Sequence, residues 1–219
     1  LLDYSDPGVL RVFTDRRAVE RLEKQMAREG YLPGASMATT FDLLRPNDLI
    51  FNYVVSNWLM RQQPPAFDIL AWNADSTRLP AAMHSFYLRN FYVENSLAKG
   101  RLELAGEPIR LADIKQDTYL VGAENDHIVP WRSAYAAIRL LSGPVRFVLS
   151  SGGHIAGIVN PPGPKGWYLV ADETPQSPIE WREKAARHAG SWWEDWVGWS
   201  REHAGPLVDP PSSSVPWTR

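Results

Sequence analysis

The sequence predicts an α/β fold built on a parallel sheet. Three observations point there. Residues 117–160 run as apolar strand, polar loop, helix, apolar strand and glycine-rich loop, the order of strands joined by a crossover helix. Residues 14–30 carry the start signal, periodicity and stop signal of an amphipathic helix. With 219 residues and 44% apolar content, the chain can bury one fair-sized core, or a core with a smaller cap.

From the front, "LLDYSDPG" reads as the end of a strand running into a turn at Pro7-Gly8. "TDRRAVERLEKQMAREG" follows as a helix, with Thr14 or Asp15 to cap it and Gly30 suited to its left-handed end. Val19, Leu22 and Met26 share one face of it. "YLPGASM" breaks the pattern. Residues 40–62 are helical in tendency but apolar on several sides, among them Leu43, Leu44, Leu49, Ile50, Phe51, Val54, Val55, Trp58, Leu59 and Met60. Such a segment is either buried or a mobile cover over an apolar site. Pro64-Pro65 ends it.

"AFDILAWN" is a strand candidate, and "LPAAMHSFYLRNFYVENSLA" a helix with Pro80 near its first turn. "GRLELAGEPIRLADI" reads as a hairpin about the turn that contains Gly106. Then come strand "DTYLVGA", loop "ENDHIV", helix "PWRSAYAAIRLL" led by Pro130, strand "GPVRFVLS" and turn "SGGH", with "IAGIVN" opening the next element. "GSWWEDWVGW" sets Trp192, Trp196 and Trp199 at helical spacing, either as a core-packed face or as a surface for an apolar partner. The tail "DPPSSSVPWTR" reads as extended or disordered. The expected division is residues 1–30 as core strand end and helix, 31–100 as a cap, 101–205 as core and 206–219 as tail.

Asp126 and His154 are the candidate catalytic pair. Each sits in a polar loop after an apolar run, 28 residues apart by their numbers, or one strand–helix–strand step. That step brings both loops to the same edge of a parallel sheet, where functional groups collect. A carboxylate there fixes the tautomer of an imidazole and supports it as a base. The pair fits the last two places of the order nucleophile, acid, histidine found in α/β hydrolases. The competing reading is a surface aspartate and a capped histidine.

The third member is missing. Ser36, Ser56, Ser76 and Ser85 lack the glycines of a nucleophile elbow, Ser133 lies in a helix, and Ser150 and Ser151 adjoin the His loop itself. The chain has no cysteine, which excludes disulfides, thiolate metal sites and a cysteine nucleophile among these residues. His127 could reach the same cleft and is a candidate auxiliary group, although loop histidines of no special role are common. His84, beside Phe86 and Tyr87, reads as structural, and His188 and His203 as surface groups. No metal-ligand spacing, phosphate loop or dinucleotide fingerprint occurs, so no metal and no cofactor is expected.

A net charge of −2 gives no reason to expect nucleic acid or an anionic membrane surface as a partner. No apolar run reaches the ~18–20 residues of a membrane span. "LLDYSDPGVLRVF" lacks the basic lead of a signal peptide, which leaves the cytoplasm as the expected location.

Four stretches carry a family resemblance when taken together and in order: "WNADSTRLPAAMHSFYLRNFYVENSL", "ENDHIVPW", "GGHIAGIVNPP" and "GSWWEDW". The chain resembles the poly(3-hydroxyalkanoate) synthases of the kind that act as a single type of subunit, over nearly its whole length. The resemblance implies an α/β-hydrolase fold with an inserted, mostly helical cap. It implies an acyltransferase that polymerises (R)-3-hydroxyacyl-CoA into polyester and releases CoA, so that the CoA thioester is substrate and no cofactor is needed. Asp126 matches the family's acid and His154 its histidine. The implied partners are the growing polyester and its granule surface, with a homodimer formed through the cap.

The family's nucleophile is a cysteine on a G-x-C-x-G elbow, which lies before the strand matching "LLDYSDPG". The expectation is therefore a C-terminal part of a synthase, inactive by itself, whose nucleophile belongs to preceding sequence. Two other readings stay open: a nucleophile-free binding or assembly module at the granule, and an esterase with a divergent elbow.

Overall fold

A computed structural model describes residues 1–44, 46–63, 75 and 77–209, with the backbone alone at 48 and 49. The candidate strand at 66–73, the Pro64-Pro65 stop, the Leu49 side chain and residues 210–219 of the expected tail lie outside the described residues.

Leu1 to Pro7 form no strand, contrary to expectation. A strand needs a ladder partner, and here the Tyr4 N–H is taken by the Asn95 side chain at 3.1 Å. Helix α1 (Arg16–Glu29) follows a short 3₁₀ turn at Gly8–Val12. Asp15 is its cap, accepting from the Ala18 N–H at 2.9 Å, and Gly30 ends it with φ 80°. Val19 and Met26 are buried, as their shared face requires, with Leu22 half-buried.

The expected break is shorter than its sequence suggests, because helix α2 (Gly34–Leu44) starts within it. Wide π-type turns continue over Asn47–Phe51 and Val54–Leu59. Their apolar side chains are not buried: Phe51, Val55, Trp58, Leu59 and Met60 all face solvent. Helix α3 (Ala81–Tyr87) widens into a π-type turn at Leu88–Val93. It is tied to α1 through Arg89 and Glu23, whose carboxylate also accepts from Ser85. Strands β1 (Leu102–Leu104) and β2 (Glu107–Ile109) form the expected hairpin, turned at Gly106 with φ 83°.

The main sheet has the order β3-β4-β5-β6. β3 (Thr118–Ala123) and β4 (Val145–Ser150) run parallel in full register, from Thr118 opposite Val145 to Ala123 opposite Ser150. The short helix α4 (Trp131–Tyr135) and a 3₁₀ turn at Ala136–Arg139 connect them. β5 (Trp167–Val170) and β6 (Ala186–Ala189) then add antiparallel, with α5 (Pro178–Lys184) between them. The sheet is thus mixed rather than parallel. "IAGIVN" opens no strand either, forming a chain of turns before β5. The core behind the sheet is aromatic. Trp181 and Phe147 meet edge to face at 4.9 Å, as do Tyr135 and Phe147, and all three are fully or almost fully buried.

Helix α6 (Trp192–His203), capped by Ser191, packs on the other face of the sheet. Its contact face differs from the tryptophan stripe read in the sequence. Trp192 and Trp199 lie at 6.1 and 5.4 Å from the Tyr119 ring, and Asp195 between them accepts from the Tyr119 hydroxyl at 2.8 Å. Trp196 points away and is 44% exposed. The helix therefore presents positions i, i+3 and i+7 to the sheet.

Candidate active site

Parallel pairing of β3 and β4 brings their C-terminal ends side by side, and the ladder carries on into the two loops. The Glu124 N–H donates to the Ser150 carbonyl at 2.9 Å, and the Asn125 N–H to the Gly152 carbonyl at 2.8 Å. Gly152 holds φ 111°, a conformation open to glycine, and Gly157 folds back over it.

That arrangement sets His154 Nδ1 at 2.9 Å from Asp126 Oδ2. The other carboxylate oxygen of Asp126 accepts from the Ile128 and Val129 N–H groups, both at 2.8 Å. The Asp126 side chain is 5% exposed and His154 42%. The acid is thus fixed by backbone donors in a dry position, while the imidazole reaches out of the surface. With Nδ1 engaged by a carboxylate, Nε2 is the nitrogen available to take or give a proton.

His127, the candidate auxiliary group, follows Asp126 in the same turn and is half-buried. His84 is buried, and burial lowers its imidazole pKa from the ordinary histidine value. His203 pairs with Asp117 at 2.8 Å, far along α6.

Three of the serines weighed as nucleophiles, Ser133, Ser150 and Ser151, are engaged structurally, and Ser76 lies outside the described residues. Ser150 is fully buried, Ser151 Oγ accepts from the Trp167 N–H at 2.9 Å, and Ser133 Oγ donates to the Asp6 carbonyl at 2.7 Å. Among the described residues, no group of three or more His, Asp or Glu side chains gathers as a metal site. Nor is any helix among them long and apolar enough to cross a membrane.

Sequence reasoning missed the contacts that hold the His loop from behind. The Trp192 indole N–H reaches the carbonyls of Gly157 and Ile158 at 3.1 and 3.2 Å, and that of Trp193 reaches Ile158 at 3.1 Å. Indole donors serve distant acceptors, so periodicity alone does not reveal them.

A well-formed cavity lies elsewhere. It measures about 440 Å³, is lined by Phe13, Leu22, Met37, Phe41, His84 and Leu88 among others, and touches neither Asp126 nor His154. Its size suits a small ligand. The contact of a carboxylate with an imidazole is found instead at the loop pair.

The chain is similar to known proteins in two ways. Residues 6–161 match the family model for the alpha/beta hydrolase fold. The chain is 44% identical over 212 residues to a poly(3-hydroxyalkanoate) polymerase subunit of Cupriavidus necator, covering 94% of this chain and 36% of that protein. It is 44% identical over 217 residues to the corresponding subunit of Rhizobium meliloti, with the same coverage. Poly(3-hydroxyalkanoate) polymerase 1 of Ectopseudomonas oleovorans is 42% identical over 213 residues, covering 97% of this chain and 38% of that protein. The chain thus spans little more than a third of the length of these relatives.

Proposed function

The chain belongs to the alpha/beta hydrolase fold family, and we propose that it supplies the acid and the base of a polyester-forming acyltransferase. Its substrate would be an (R)-3-hydroxyacyl-CoA. The observation that carries this reading is the Asp126–His154 contact at 2.9 Å, formed where two parallel strands end. The names of the longer relatives support the choice of reaction.

The chemistry can be written through the residues present. A thioester is opened most readily by a thiolate beside an imidazole. The chain has no cysteine, so the reading draws the thiol from preceding sequence of a longer protein. His154 Nε2 takes the thiol proton while Asp126 holds Nδ1 and the imidazolium. The thiolate attacks the thioester carbonyl, the bond to CoA sulfur breaks, and the leaving thiolate is protonated. The 3-hydroxyl of a second acyl group then attacks the new acyl-enzyme. His154 takes the hydroxyl proton, the ester C–O bond forms, and the enzyme's sulfur leaves and recovers its proton. The sequence balances with no cofactor. His127 is near enough along the chain to serve as an auxiliary group at the substrate.

β3 supports the same reading. It pairs in parallel with β4 and carries an uncharged run, the pattern of an interior strand, yet its outer edge has no strand partner among the described residues. Further strands of a larger core would fit there. We assign residues 31–100 to a cap. Trp58, Leu59 and Met60 are 79%, 73% and 61% exposed, an apolar surface of the kind that a partner covers. A second copy of the chain is the partner we favour, with the polyester beneath and a granule in the cytoplasm as the setting.

The test compares the 219-residue chain with the longer protein that carries it, measuring CoA release from (R)-3-hydroxybutyryl-CoA. Turnover by the longer protein with none by the chain alone is expected. Release by the chain alone would overturn the reading.

A further inference from the structure

The tryptophan pair at the start of α6 stands directly behind the His154 loop, and its contacts are polar as well as apolar. The Trp192 indole N–H points at the carbonyls of Gly157 and Ile158, and the Trp193 indole N–H at that of Ile158. Ser191, the residue that caps the helix, is fully buried and donates its hydroxyl to the Asn160 carbonyl. Three side chains consecutive in sequence thus satisfy the carbonyls of a loop that belongs to no strand or helix. The loop needs such support. Its own backbone bonds are three turn contacts, Gly157 to Gly153 at 2.8 Å and Ile158 and Val159 to Ile155 at 3.0 and 2.8 Å.

The helix bearing these donors is itself fixed to the strands that carry the catalytic pair. Asp195, one turn along α6, accepts from Arg146 Nε on β4 at 2.9 Å and from the Tyr119 hydroxyl on β3 at 2.8 Å. The Asp126 loop follows β3 and the His154 loop follows β4. The sheet, the helix and the His loop therefore close a triangle, in which α6 refers the loop back to both strands.

We propose that Trp192 and Trp193 are positioning residues for His154: their indole N–H groups clamp the loop so that the imidazole stays aligned on Asp126. This rests on the reading of His154 as the base. An imidazole that swings freely loses its orientation on the acid and its aim at the reacting atoms, and small misplacements of catalytic groups cost large factors in rate. The role assigned to each indole is one of donor as well as filler, so a phenyl ring at the same place should pack without clamping.

The experiment uses the longer protein carrying this chain. Trp192→Phe/Trp193→Phe is compared with wild type, with Trp193→Phe alone in case the double variant folds poorly. Trp199→Phe is the control, since Trp199 packs on Tyr119 from the same helix away from the loop. His154→Ala reports on the underlying reading. Hydrogen exchange over residues 153–160 and steady-state turnover are both measured.

The clamp predicts faster exchange in that loop, with β4 unchanged, and a fall in kcat of about tenfold or more with KM within about twofold. Trp199→Phe should change neither the loop nor kcat. Unchanged loop exchange in the tryptophan variants would overturn the clamp. Faster exchange with wild-type kcat would overturn the positioning role. Full turnover in His154→Ala would sink the catalytic reading and the role built on it, while the exchange data would still report whether the clamp exists.

Discussion

Asp126 divides its carboxylate between two tasks, with one oxygen 2.9 Å from His154 Nδ1 and the other bound to the N–H groups of Ile128 and Val129. Asp126→Asn keeps an oxygen for the backbone donors but loses the charge that orients and supports the imidazole. In the longer protein it should lower kcat by about 10³- to 10⁴-fold with little change in stability. Asp126→Ala should lower kcat similarly and also cost about 1–3 kcal/mol, because two donors lose their acceptor. Steady-state kinetics and denaturant unfolding of the two variants check this split.

Gly157 stands against Ala123. A Cβ at Gly157 would lie 2.5 Å from the Ala123 Cβ and 2.6 Å from the Gly153 carbonyl oxygen. Neither can give way without moving β3 or the His loop. Gly157→Ala should therefore destabilise by about 1–3 kcal/mol and depress turnover. Gly198→Ala is the contrast: it sits inside α6 with nothing within 4 Å of a new Cβ. It should stabilise by about 0.5–1 kcal/mol and leave turnover intact. Thermal unfolding of both variants decides the matter.

Asp195 links acidity to the anchoring of α6. Burial alone would raise its pKa, but hydrogen bonds from Arg146 and Tyr119 together outweigh that and hold the carboxyl below its ordinary value. A depressed carboxyl contributes stability above its unfolded pKa of about 3.9, and that contribution is lost as pH falls through the lower folded value. Asp195→Asn should cost about 1–3 kcal/mol at pH 7, and the difference from wild type should shrink below about pH 4. Unfolding curves at pH 7 and pH 3 test the window.

His203 behaves in the opposite sense. Its ring bonds the Trp199 carbonyl and the Asp117 carboxylate, which raise its pKa above the ordinary histidine value, the carbonyl contributing most. Its contribution is full below the unfolded value of about 6.5 and fades as pH rises through the folded one. Amide exchange at the end of α6 should speed up with alkalinity, and Asp117→Asn should lower the apparent pKa of His203 seen by NMR titration. A His203 signal that titrates at the ordinary value would contradict this.

The meeting of the two candidate loops was legible in the sequence for a physical reason. Strand, loop, helix and strand in succession leave one sheet edge for both loops, so Asp126 and His154 could be offered as a candidate pair. Helix α1 was legible too, because Asp15, Gly30 and the Val19–Met26 face are local signals. The strand expected at the front failed on a partner: Asn95 captures the Tyr4 N–H from far along the chain. β5 and β6 went unread, since "WYLV" and "ARHA" are too short to carry a period. The tryptophan face of α6 shifted because Asp195, a charged residue, turned inward to meet Arg146 and Tyr119. Periodicity counts apolar residues and misses a face built on a charge pair.

The most direct test of the central claim is CoA release from (R)-3-hydroxybutyryl-CoA by the longer protein with His154→Ala, compared with wild type. The account predicts a fall of at least about 10³-fold in kcat with the fold intact by circular dichroism. A rate near wild type would show that His154 is not the base and that the loop pair is not the seat of the chemistry.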